Sequence, residues 1–284
     1  MNRIVTLSPL PDRPLEGHKG LFGRVLVVGG SDSMIGAPVL AGTAALRMGA
    51  GLVQIAMPRA VLATAISITP ELIGLPLSAT SARQLLTAAE AADVLAIGPG
   101  MGTSSAARSR LMQLIRLEKP AVIDADALNL LVVQKQWPRQ FKLDAVLTPH
   151  PGEMKRLAKL FGRANVPADD DGRIEIALLA AKKFGQIVVL KGNRTIVTDG
   201  KQVYVNRTGD SSLSKAGTGD VLTGIIASLI GQKMNRFQAA CTGVWLHGKA
   251  GEIAGQSLGR RSVLARDVID SLPRAIRVYE SQAG

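Results

Sequence analysis

Lys215-Ala216-Gly217-Thr218-Gly219-Asp220-Val221-Leu222-Thr223-Gly224 leads from a run of small residues into an apolar stretch that ends near Ile230. Small residues let the backbone curl until several N–H groups converge on one point. A helix starting there adds the positive end of its dipole, and the result is an anion hole. A carboxylate in the first helical turn, Asp220, then stands beside the bound anion. With a phosphoryl group in the hole and a hydroxyl on Asp220, this is a geometry for phosphoryl transfer. The helix N-terminus should stabilise the Asp220 anion and lower its pKa, leaving a weak acceptor that orients the hydroxyl. The plainer alternative is a glycine-rich turn with Asp220 as a helix-stabilising acid; the long apolar helix that follows favours chemistry.

Other candidates are weaker alone. Gly98-Pro99-Gly100-Met101-Gly102 follows a strand and precedes a helix, but its spacing is not that of a dinucleotide fingerprint. In Thr148-Pro149-His150-Pro151-Gly152-Glu153, two prolines fix the loop and present His150 rigidly, either to a ligand or as a helix-capping turn. Asp124 and Asp126 end a strand together; they could hold Mg²⁺ through water, or Asp126 could cap the next helix. Lys191-Gly192-Asn193-Arg194-Thr195 also ends a strand and could embrace phosphates, or form a basic hairpin turn. His18 and His247 say less, and His247 reads as a packed or surface position on a helix. The chain has no GxxxxGK[ST], HExxH or CxxC motif.

The elements that must position these residues alternate along the chain. Strands are predicted at 24–28, 51–56, 93–97, 121–123, 145–147 and 187–190, with a hairpin of 195–198 and 202–205 turning at Asp199-Gly200. Helices are predicted at 36–48, 81–91, 103–117, 172–185, 218–231, 236–256 and 265–280, and one follows His150. This βαβ progression gives an α/β fold with a mostly parallel sheet between helical layers. Only 3% of residues are aromatic against 46% apolar, so the core must be aliphatic, as a buried parallel sheet requires. Nearly every strand ends in a glycine or a polar residue, and ligands of open α/β sheets bind at those carboxyl ends. Nothing divides residues 1–284 into two domains; residues 1–17 form a Pro-rich lead-in.

The net charge is +12, spread without a basic run or an aromatic platform, which suits a nucleotide better than nucleic acid. Cys241 is the single cysteine, which excludes an intramolecular disulfide and reads as a small buried hydrophobe. The N-terminal residues lack a signal-peptide core and no stretch is long enough to span a bilayer, so a cytoplasmic protein without membrane attachment is expected.

The ordered set of motifs resembles the ADP/ATP-dependent NAD(P)H-hydrate dehydratase family, the carbohydrate-kinase-like branch of the ribokinase superfamily. The resemblance runs over about residues 18 to 275. It rests on His18-Lys19-Gly20-Leu21-Phe22-Gly23, Gly29-Gly30-Ser31, Gly36-Ala37-Pro38, Gly49-Ala50-Gly51-Leu52-Val53, Pro70-Glu71 and Ile97 to Gly102. It continues through Asp124-Ala125-Asp126-Ala127-Leu128, Leu147 to Glu153, Leu190-Lys191-Gly192 and Gly217 to Gly224.

The resemblance implies a three-layer ribokinase-like fold and a repair reaction. The hydroxyl of the hydrated nicotinamide ring of NADH or NADPH is phosphorylated by ADP or ATP with Mg²⁺, and the ring nitrogen then expels phosphate. It makes Asp220 the acceptor for that hydroxyl and puts Ala37, Gly102, His150 and Asp220 against the hydrated dinucleotide. Nucleotide contacts fall to Lys191, Gly192, Asn193, Arg194 and Thr195, and to Asp210, Ser211, Ser212, Leu213, Ser214, Lys215, Ala216, Gly217, Thr218 and Gly219. Ala216 to Gly219 form the anion hole. Before GTGD the family reads close to Asn-Pro-Gly-Met-Ala-Thr-Gly, and here two of those glycines are lost.

The epimerase domain often fused upstream is expected to be absent, since the first motif begins near residue 18. ADP is the expected donor, and a homo-oligomer, often a tetramer in the family, the expected assembly. A small-molecule kinase of the same superfamily would share the anion hole and Asp220 but release a stable phosphorylated product. A nucleotide-sensing or nucleic-acid-binding protein is suggested by the charge alone.

Overall fold

The computed structural model describes residues 2–283 apart from Val5, Ala79, Lys135 and Gln136; Met1 and Gly284, the ends of the expected single domain, lie outside the described residues. In chain order the elements are β1 (Asn2–Arg3), β2 (Arg24–Val28), α1 (Gly36–Arg47), β3 (Leu52–Pro58), α2 (Arg59–Ile68), β4 (Ile73–Leu77), α3 (Ala82–Ala91) and β5 (Val94–Ile97). Next come α4 (Ser105–Leu114), β6 (Pro120–Ile123), α5 (Ala125–Val133), α6 (Trp137–Gln140), β7 (Asp144–Leu147), α7 (Pro151–Ala158) and α8 (Asp170–Phe184). The chain closes with β8 (Ile187–Leu190), β9 (Ile196–Thr198), β10 (Gln202–Val205), α9 (Thr218–Gly231), α10 (Arg236–Leu258) and α11 (Ala265–Ala283).

The strands form one sheet in the order β1-β10-β9-β8-β7-β6-β5-β2-β3-β4, in which β9 alone runs antiparallel to its neighbours. Alternate residues of each strand feed opposite layers. Val25 and Val27 join the core under α1, α9, α10 and α11, while Leu26 and Val28 join the one under α3, α4, α5, α7 and α8. This is the expected three-layer arrangement. Because the strands from β4 to β8 are mutually parallel, their carboxyl ends share one rim.

Two features bring α9 onto that rim. A Cβ on Gly224 would come 2.0 Å from the Ala41 carbonyl oxygen, so α9 and α1 touch backbone to backbone. Gly217 takes φ +91° at the helix start, a turn that a side chain would oppose.

Residues 59–77 and 125–133 hold elements the sequence pattern left unread. β4 carries Pro76 but lies at the sheet edge, where a missing donor is tolerated. α5 starts directly after β6, with no loop to announce it. The helix expected over 103–117 is shorter, and Ser104 caps it by accepting the Ala107 N–H.

Candidate active site

The strand ends and the start of α9 enclose a cavity of about 730 Å³. Every expected nucleotide residue lines it except Ser212, which is fully buried behind it. His150 and Asp220 line it too. Ala37 and Gly102 do not; Ala37 is in the first turn of α1 and Gly102 in the loop after β5, where a Cβ on Gly100 would lie 3.1 Å from that of Ala37. A larger cavity of about 960 Å³ lies at the other end of the sheet, between the N-terminal segment, β10 and α11, away from Asp220.

The floor of the site is a cluster of charges. Asp124, 1% exposed, accepts from Lys191 Nζ at 2.6 Å and from Thr223 Oγ1 at 2.8 Å. The turn from β6 into α5 is tight enough that Ala125 adopts φ +49°, and successive carboxylates diverge from it. Asp124 turns inward, whereas Asp126 accepts the Gly102 N–H at 2.8 Å. Asp126 therefore does not cap α5, as the sequence allowed; it braces the Gly98–Gly102 loop.

Lys191 also lies 3.9 Å from Glu153, and its Nζ is 3.4 Å from the point a Cβ on Gly219 would take. Its ammonium thus stands beside the Gly217–Gly219 turn. Despite the desolvation it suffers, the neighbouring carboxylates, Asp124 first, raise its pKa and keep it charged.

Asp220 overturns the expectation of a depressed pKa. Burial first, then the adjacent Asp124 charge, push it up to about 7, and Lys191 only partly opposes them. The helix N-terminus is outweighed because the carboxyl is largely desolvated and stands among other acids. Among the described residues no protein group hydrogen-bonds the Asp220 carboxylate. It is free, poised near neutrality, and one turn from the Thr223 that pins Asp124.

His150 caps the helix that follows it and also lines the cavity. Its Nδ1 accepts the Gly152 N–H at 3.0 Å, while Glu153 accepts the His150 N–H at 2.7 Å, and this capping box starts α7. Its half-exposed ring still faces the cavity. Burial and then Lys191 lower its pKa, keeping it neutral. Glu153, buried beneath it, is pushed up to about 7 chiefly by desolvation.

Several expected nucleotide residues are engaged elsewhere. Lys215 donates to the Arg261 carbonyl at 2.6 Å. Asp210 accepts from Ser212 N–H and from Arg260, bonds that outweigh burial and hold its pKa low. Thr218 Oγ1 reaches the Leu213 and Lys215 carbonyls and folds the 213–218 loop on itself despite its lost glycines.

Sequence reasoning did not assign several residues of the cavity wall. His247 is 9% exposed, its Nε2 has no hydrogen-bond partner among the described residues, and burial lowers its pKa to about 4. Val244 and Gly248, on the same helical face, also line the cavity, and that spacing was the available signal. Asn206 is buried and joins the end of β10 to the Val244 carbonyl.

A mostly parallel sheet between helical layers, with a glycine turn and an acid at the start of one helix lining the cavity at its rim, defines a ribokinase-like nucleotide-binding protein. The family model for NAD(P)H-hydrate dehydratase matches residues 25–274, and the chain belongs to that family.

It is 37% identical to an ADP-dependent (S)-NAD(P)H-hydrate dehydratase of Neisseria meningitidis, over 93% of this chain and 88% of that one. It is 44% identical to a bifunctional NAD(P)H-hydrate repair enzyme of Moorella thermoacetica, over 97% of this chain but 53% of the relative. The chain spans about half the length of such bifunctional relatives. Among solved structures, an ADP/ATP-dependent NAD(P)H-hydrate dehydratase from Bacillus subtilis, co-crystallised with ATP and Mg²⁺, superposes with a TM-score of 0.81. The two are 30% identical over 96% of this chain and 95% of that one.

Proposed function

We propose that this chain dehydrates hydrated NADH and NADPH at the expense of a nucleotide phosphate, with ADP the preferred donor over ATP. The observation that carries the reading is Asp220, an unbonded carboxyl with a pKa near 7 at the mouth of the Gly217–Gly219 turn. A base of that pKa is half ionised at neutral pH, where general-base work is most effective.

In this reading the nucleotide lies along the 191–195 and 210–219 segments, with its terminal phosphate in the turn beside Lys191. Asp220 accepts the proton of the ring hydroxyl as the oxygen attacks phosphorus and the nucleotide leaves. The ring nitrogen's lone pair then breaks the C–O bond and releases phosphate. Loss of a proton from the adjacent ring carbon restores the dihydropyridine. Ala37, Gly102 and neutral His150 hold the dinucleotide, with Asp126 fixing the Gly102 loop.

Phosphate chemistry of this kind needs a divalent cation. The protein donors do not fit an Mg²⁺ cage. Asp124 is committed to Lys191 and Thr223, and Asp126 to Gly102. Among the described residues no three His, Cys, Asp or Glu side chains gather at metal-binding spacing. Mg²⁺ is therefore proposed to enter on the nucleotide phosphates.

A cytoplasmic location and a homotetramer complete the proposal. Among the described residues no helix is long and apolar enough to cross a membrane. The test is the return of dihydronicotinamide absorbance when protein, hydrated NADH, Mg²⁺ and either ADP or ATP are mixed. A rise with one nucleotide that Asp220→Asn abolishes is expected. No rise with either would sink the proposal, and stable phosphorylation of a small alcohol would point to a kinase.

A further inference from the structure

The loop from β8 to β9, residues 191–195, is held from behind by a helix that no motif singled out. Arg173, buried in the first turn of α8, donates from Nη1 to the Asn193 carbonyl at 2.5 Å and from Nη2 to the Lys191 carbonyl at 3.5 Å. The carbonyl between them, on Gly192, accepts from Thr195 Oγ1 at 3.0 Å. All three successive carbonyls are thus tied into the protein.

A trans peptide is planar, so a carbonyl and the N–H of the next residue point opposite ways. Drawing the Lys191 and Asn193 carbonyls towards α8 turns the Gly192 and Arg194 N–H groups away from it, to the side where the loop lines the cavity. Among the described residues neither amide has a hydrogen-bond partner in the protein. The backbone adopts this shape with φ +138° at Gly192 and +56° at Arg194. A Cβ on Gly192 would come 2.9 Å from Arg173 Nη2, so the guanidinium and the glycine fit each other. Asp170 completes the clamp: it lies 3.6 Å from Arg173 and pairs with the Arg194 guanidinium.

We propose that Arg173 is the positioning residue of the nucleotide loop, setting its peptide planes so that the Gly192 and Arg194 amides meet the phosphate oxygens of a bound nucleoside di- or triphosphate. The role rests on the nucleotide-dependent reading above. A guanidinium suits it because its planar fork serves two carbonyls at once, whereas a lysine is a single point of charge.

The experiment is calorimetric titration of ADP and of ATP, with Mg²⁺ and no dinucleotide, into wild type, Arg173→Ala, Arg173→Lys and Asp170→Asn. Arg173→Ala should weaken binding on the order of tenfold, as expected for losing charge-assisted hydrogen bonds. Arg173→Lys should fall between it and wild type, and Asp170→Asn should change least. In turnover assays the nucleotide KM should rise while kcat at saturating nucleotide and the KM for the dinucleotide hold.

A lower melting temperature with an unchanged nucleotide Kd would make Arg173 a structural ion only and overturn the proposal. If Arg173→Ala does not fold, an unchanged Kd in Arg173→Lys overturns it equally. Wild-type protein that binds neither nucleotide would sink the functional reading itself, and this role with it.

Discussion

Asp124 and Asp220 stand side by side at the floor of one cavity, yet their surroundings differ in kind. Asp124 accepts from an ammonium and a hydroxyl, and both partners are themselves buried or nearly so. Asp220 is enclosed by the same elements and has no protein hydrogen bond among the described residues. A buried acid whose oxygens are satisfied is held rigid. One left unsatisfied rises in pKa and becomes available to a substrate. The contrast separates the residue that holds the site together from the one proposed to react, although both are aspartates at the start of a helix.

The contrast can be broken most severely at Asp220. Asp220→Asn is expected to lower kcat on the order of 10²–10⁴-fold, the usual range for losing a general base. The same change should stabilise the fold. A carboxyl raised from 3.8 to about 7 binds more protons folded than unfolded between those values, so stability falls as pH rises through that window. Removing the charge should return about 1–3 kcal/mol at pH 8 and little at pH 4, measurable by urea unfolding at the two pH values.

At Asp124 the sign reverses. Asp124→Asn strands a buried ammonium and should cost about 3 kcal/mol or more, read as a lower unfolding midpoint at neutral pH. Activity in wild type should decline as pH falls through about 7, where Asp220 takes up its proton, and kcat/KM against pH would show that limb. Thr223→Val removes one of the two partners of Asp124 and should cost about 1–2 kcal/mol by the same unfolding assay. At the small end, Lys142→Ala breaks an exposed pair with Glu118 and should leave the midpoint within about 0.5 kcal/mol.

Much of this architecture was legible in the sequence because the relevant signals are local. Strand 24–28 was read to the residue, since an apolar run ends there in glycine, and the helix near 218–231 was placed by the glycine turn before it and the apolar stretch within it. Asp220 was placed at the start of the helix beside the glycine turn, where it stands, but the direction of its pKa shift was not foreseen. The opposing charges at Asp124, Asp126 and Glu153 arrive from distant segments, and desolvation is a property of the assembled cavity. Asp126 was misread for a similar reason, because its true partner, Gly102 N–H, lies 24 residues upstream. Arg173 escaped notice, and His247 was read only as a packed or surface position, because neither sits at a strand end, where the pattern directs attention.

The hydrogen bond from Thr223 to Asp124 joins residues 99 positions apart, and the Lys191 pair closes 67. Contacts of such separation form late, after loop closure has brought their segments together. A chain emerging during synthesis would carry Asp124 and Lys191 with neither Thr223 nor the Gly217 turn until α9 had been made and docked on α1. The reactive centre therefore needs α9 in place, and catalytic competence during refolding should lag behind the appearance of secondary structure.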